Sequence, residues 1–96
     1  MSLKEKTDIS PEVRRKVIER DSIDGCPVCR YCGKPMLHGG VNLHHLQRRS
    51  QGGAGIEENL ICLCGMCHTA LHNGHSEIQL ACKDYLEELY GKDRIE

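Results

Sequence analysis

Glu58-Asn59-Leu60-Ile61-Cys62-Leu63-Cys64-Gly65-Met66-Cys67-His68-Thr69-Ala70-Leu71-His72 is the stretch whose reading decides the fold. Asn59 to Cys64 predicts a strand, with Leu60, Ile61 and Leu63 as its apolar residues. Gly65 turns the chain, and a short helix follows from about Met66 to His72, stopped by Asn73-Gly74. His68 and His72 stand four apart, so a helix puts them on one face where they can hold one metal ion together. Upstream, Val41-Asn42-Leu43-His44-His45 is short and alternating and predicts a first strand. Gln47 to Glu58, carrying Arg48, Arg49, Ser50 and the glycines Gly52, Gly53 and Gly55, is the loop between the two strands.

His44 from the first strand makes a third candidate ligand beside His68 and His72. Three neutral imidazoles with positions left open describe a catalytic rather than a structural metal site. His45 is then the spare imidazole, of the pKa class that takes a proton from water near neutral pH. Strand neighbours point to opposite sides, so the strand must end or bend at His44-His45 if both are to approach one phosphate. Asn59 is placed to hydrogen-bond back to the loop backbone and fix where His45 points.

Two cysteine pairs, Cys29-x-x-Cys32 and Cys64-x-x-Cys67, bracket the histidines. This is the spacing at which both thiolates of a pair reach one ion, and it predicts a closed, structural zinc site. Cys29-Arg30-Tyr31-Cys32-Gly33 resembles a zinc knuckle. Cys26-x-x-Cys29 has the same spacing and is the alternative first pair, although Cys32-Gly33 fits the knuckle better. Cys62 and Cys82 fall at core positions of a strand and a helix.

The remaining chain frames this unit. Residues 1–9 read as a flexible lead. Residues 10–96 form a single domain, with its core at about 26–75 and a C-terminal helix at about 76–90. Ser10-Pro11-Glu12 starts a first helix through Arg20, with Val13, Val17 and Ile18 on one face. Ser76 starts the last helix, with Gln79 completing a capping box and Ile78, Cys82, Tyr85, Leu86 and Leu89 as its buried stripe.

Bulk properties narrow the class. At 96 residues there is room for one domain, and Leu, Ile and Val total 21 with no Phe or Trp. So thin a core commonly needs a metal or disulfides. Seven cysteines, an odd number, suit a full disulfide framework poorly. With no signal-peptide-like or membrane-spanning stretch, a reducing cytoplasm is the expected setting, and no membrane partner is expected. Net charge is −1, yet residues 1–56 hold ten Lys/Arg against six Asp/Glu, while residues 76–96 hold three against six. A polyanion would meet the front of the chain.

His44-His45, Arg49-Ser50-Gln51-Gly52-Gly53, Glu58-Asn59-Leu60 and Leu63-Cys64-x-x-Cys67-His68 together resemble the HNH endonuclease family over about residues 26 to 75. The resemblance implies an α+β, ββα-metal (His-Me finger) fold: two antiparallel strands joined by a loop, packed on one helix around a divalent ion. It implies a DNA phosphodiester hydrolase giving a 5′-phosphate and a 3′-hydroxyl. By position His44 matches the first metal ligand, His45 the general base, Asn59 the middle Asn and His68 the final metal ligand. His72 matches the extra helical histidine of the nuclease colicins. Imidazole-rich ligation suits Zn²⁺, Ni²⁺, Co²⁺ or Mn²⁺ and weakens the case for dependence on Mg²⁺. Arg48 or Arg49 is a candidate phosphate brace. So compact a chain resembles phage-encoded members, which implies the host cytoplasm. Tight sequence specificity would need a homodimer or a larger protein machine. No small-molecule substrate is expected. The rival functions are a non-catalytic zinc-ribbon module binding DNA or protein, and a redox or iron–sulfur protein.

Overall fold

The computed structural model describes residues 7–36, 41–48 and 51–91. Arg49 and Ser50, both singled out above, lie outside the described residues, as do residues 1–6 of the lead.

The first helix, α1 (Pro11–Arg20), begins where the capping chemistry directs. Ser10 has extended backbone and its Oγ accepts the Val13 N–H at 3.1 Å. Proline follows, where a missing N–H costs nothing. Val17 is fully buried, with Val13 and Ile18 packed partly around it.

Next comes a small hairpin, β1 (Ser22–Ile23) with β2 (Cys26–Pro27), for which the sequence carries no strand pattern. Its connection is Asp24-Gly25, both at positive φ (52° and 80°), the backbone that a tight two-residue hairpin needs. Strands of two residues carry no periodicity, so the turn dipeptide was the only signal available.

The central unit is β3 (Asn42–His45) antiparallel to β4 (Leu60–Leu63), with His45 opposite Leu60 and Asn42 opposite Leu63. Cys64 then caps the helix α2 (Gly65–His72). All four residues of β4 are buried, since α1 packs on this strand as well as β3 pairing with it. That double burial explains why its sequence is a continuous apolar run rather than an alternating one. β4 starts one residue later than the sequence suggested, because Asn59 closes a 3-10 turn (Glu57–Asn59) instead.

The last helix, α3 (Ser76–Tyr90), packs on α2 and buries Ile78, Cys82 and Leu86. Two expectations are corrected. Leu89 is 48% exposed, because the final turn runs past the core. The Ser76–Gln79 capping box does not form: His75 is the N-cap, without a side-chain cap bond, and the Gln79 amide is used elsewhere.

One structural element had no signal in the sequence. The Asp21 carboxylate is fully buried and accepts from Arg20 Nε and Nη2 (both 2.8 Å), Tyr85 Oη (2.6 Å) and the Cys62 N–H (3.0 Å). Arg20 also donates to the Glu57 and Leu60 carbonyls and to Tyr90 Oη. The pair thus ties α1, β4, the 3-10 turn and α3 together. Burial opposes the Arg20 charge, but Asp21 and Tyr90 outweigh it and push the guanidinium above its ordinary pKa. Burial, then the bond to Asp21, pushes Tyr85 up to about 12. Removing one partner strands a buried charge, so Asp21→Ala is expected to cost about 3–5 kcal/mol. Urea unfolding measures it, and an unchanged midpoint would show that the pair does not hold these elements.

Candidate metal centre and active site

The Sγ atoms of Cys29, Cys32, Cys64 and Cys67 all lie within 4.8 Å of one another, so the four cysteines are positioned to hold a metal ion. The first pair sits in a turn closed by the Val28–Pro35 bridge and by the Cys29 N–H bonding the Lys34 carbonyl at 2.8 Å. The second pair straddles the β4–α2 junction, where Cys64 Sγ accepts the Cys67 N–H. Cys26 stays outside the group, with its thiol directed at the Pro27 carbonyl. Cys62 and Cys82 are core residues, each pushed up to about 12 by burial first.

Thiols of this group are shifted in opposite directions. Burial raises Cys29, but backbone N–H groups of Cys32, Cys64 and Tyr31 outweigh it and bring the thiol down to about 7. Burial and the three neighbouring sulfurs push Cys67 the other way. Four thiolates crowded together repel one another unless a divalent ion neutralises them, and metal binding displaces their protons.

His44 from β3 meets the two histidines of α2. The His68 ring centroid lies 5.7 Å from that of His44 and 4.7 Å from that of His72, both edge-on. Among the described residues, no histidine set draws its donor atoms together as the cysteines do. His44, His45, His68 and His72 line one cleft of about 670 Å³ together with Arg48, Gln51 and Gln79. Four successive residues, Leu43 to Leu46, contribute to it, so the cleft wraps the end of β3. That is how strand neighbours pointing opposite ways both reach it. Burial lowers the pKa of His44 and of His68; at His44 the bond to Gln79 works against this, while the neighbouring imidazoles lower both further. Both rings are therefore biased to the neutral form that ligates metals.

Each buried histidine is held through a ring nitrogen. His45 Nε2 lies 2.9 Å from the Thr7 carbonyl, and His44 Nε2 lies 2.9 Å from Gln79 Oε1. The loop behind them is clamped by Asn59, whose Oδ1 accepts the Gln47 N–H at 2.8 Å. Its Nδ2 donates to the carbonyls of Gln47 (3.2 Å) and Ala54 (2.9 Å). The bond from Asn59 to the loop backbone is thus present. Arg48 is exposed at the cleft.

Two contributors escaped the sequence reading. Gln79 is one, its cap-box spacing having pointed elsewhere. The other is the lead: Thr7 is buried, Ile9 packs on the core and lines the cleft, and the Asp8 carbonyl abuts Gly55 where any Cβ would collide. No sequence signal connects a backbone carbonyl to a histidine 38 residues away.

Residues 29–74 match the model of the HNH endonuclease family. The chain is also similar to Anaredoxin of Nostoc sp. (strain PCC 7120 / SAG 25.82 / UTEX 2576), 35% identical over 52 residues. The match covers 54% of this chain and 66% of the relative, just under two thirds of the relative's length. No helix among the described residues is long and apolar enough to cross a membrane.

Proposed function

We propose that this chain, whose residues 29–74 match the HNH model, is a metal-dependent DNA endonuclease, with His45 as general base and a zinc ion in the Cys29–Cys32–Cys64–Cys67 clip. The observation that carries the proposal is the single cleft lined by four histidines and Arg48 beside that clip. His44, His68 and His72 would hold a divalent ion. Bound there, it would stabilise the negative charge that builds on the phosphate oxygens during cleavage.

The chain's own residues do the rest. A carbonyl only accepts, so His45 Nε2 carries the proton of its bond to Thr7, and the lone pair of the neutral ring sits on Nδ1. Nδ1 takes a proton from water, the resulting hydroxide attacks phosphorus, and the bond to the 3′-oxygen breaks. The departing oxygen gains a proton from solvent, leaving a 3′-hydroxyl and a 5′-phosphate. Asn59 keeps the loop behind His45 from rotating it away. Arg48 meets the non-bridging phosphate oxygens by charge-assisted hydrogen bonds, and Arg49 is the second candidate for that contact.

The expected result is nicking of supercoiled plasmid under Mn²⁺ or Ni²⁺, lost on chelation and regained on adding metal back. Intact plasmid under every one of Mg²⁺, Mn²⁺, Co²⁺, Ni²⁺ and Zn²⁺, with the clip loaded, refutes nuclease activity. A second reading, a non-catalytic zinc module that binds DNA or protein, draws on the hydrogen bonds already engaging His44 and His45. Metal stoichiometry separates them: two ions per chain for the nuclease, one for the module. Visible absorbance from that single ion would point instead to an iron centre.

A further inference from the structure

We infer that Gln79 is a positioning residue that fixes which ring nitrogen of His44 is offered to a divalent ion. The inference rests on the reading of His44 as a metal ligand. Gln79 stands on α3, 35 residues from His44 and outside the segment that matches the family.

The orientation of its amide follows from chemistry. Gln79 Nε2 donates to the Leu46 carbonyl at 2.7 Å. Turning the amide over would set Oε1 against that carbonyl, oxygen to oxygen. Oε1 therefore faces His44 Nε2 at 2.9 Å and must accept from it. His44 Nε2 is thereby the protonated nitrogen, and in the neutral ring the lone pair belongs to Nδ1. A metal-binding histidine that donates its other N–H in this way has its tautomer and ring plane settled, and its ligating nitrogen becomes more basic.

The same residue holds the backbone. The Leu46 carbonyl is bound by Gln79, while the Leu46 N–H donates to the Asn59 carbonyl at 2.8 Å. Gln79 and Asn59 therefore grip the residue after His44-His45 from its two polar ends, and the end of β3 cannot turn without breaking one of them.

The test uses the full chain with zinc in the clip. Ring ¹⁵N signals of His44 are read without added divalent metal, and Mn²⁺ affinity is then measured by calorimetry. Wild type should show His44 as the single Nε2–H tautomer. Gln79→Ala should mix the tautomers and weaken Mn²⁺ binding about 10–100-fold, at unchanged zinc content. Gln79→Met, similar in length but without either polar atom, should behave as the alanine variant does, which separates lost packing from lost hydrogen bonding. A wild-type ring spectrum or undiminished Mn²⁺ affinity in Gln79→Ala and Gln79→Met overturns the inference. Wild type that binds Mn²⁺ without cutting DNA would sink the nuclease reading and leave the role of Gln79 standing. Cleavage by wild type, with both variants unaffected in spectrum and affinity, sinks Gln79 alone.

Discussion

Cys64→Ser is expected to unfold the domain. Cys64 sits where β4 ends and α2 begins, caps that helix through its Sγ, and belongs to the four-sulfur group that ties the first turn to the second. Structural zinc sites contribute about 10–16 kcal/mol of apparent binding energy, as large as the ~5–15 kcal/mol that separates a folded domain from its unfolded chain. Serine restores the helix cap but offers no thiolate, so the cap alone, at ~1 kcal/mol, does not compensate. Circular dichroism and zinc content by mass spectrometry check this together. A cooperatively folded variant carrying no zinc would show that the core is self-sufficient and the clip dispensable. Cys26→Ser is the companion control: its thiol lies outside the group, and its zinc content should equal that of wild type.

His45→Ala should leave fold and zinc content intact and slow plasmid cleavage by about 10²–10⁴, the usual scale for a lost general base. The imidazole is buried at the end of β3 and held at Nε2, so its loss deletes a proton acceptor while the β3–β4 pairing and the Asn59 clamp persist. Some destabilisation follows from leaving the Thr7 carbonyl without this donor, about 1–3 kcal/mol. Activity therefore has to be compared at a temperature where both proteins are folded. Wild-type rates from a folded His45→Ala variant would remove this residue from the chemistry.

The parts that could be read in advance share a physical character. Helix starts, the apolar run of β4 and the two cysteine pairs are local patterns, encoded within a few residues of where they act. Asn59 was legible for the same reason, since an asparagine between a glycine-rich loop and a strand has few other uses. What stayed hidden is long-range and polar. Asp21 and Arg20 look like helix-end and turn residues until β4 and Tyr85 close over them. Gln79 satisfies a capping pattern in sequence, but in the fold its amide meets an imidazole and a carbonyl from another element. The hairpin at Ser22–Pro27 is too short to show periodicity. Each missed feature is a partnership made by tertiary packing, which one-dimensional spacing does not record.

The seating of Thr7 and Asp8 against His45 and Gly55 bears on how the protein is handled at the bench. A truncation that starts the chain at α1 would remove the Thr7 carbonyl that His45 Nε2 contacts. Under the proposed reading, kinetics from such material would understate the wild-type rate and be mistaken for a weak intrinsic activity.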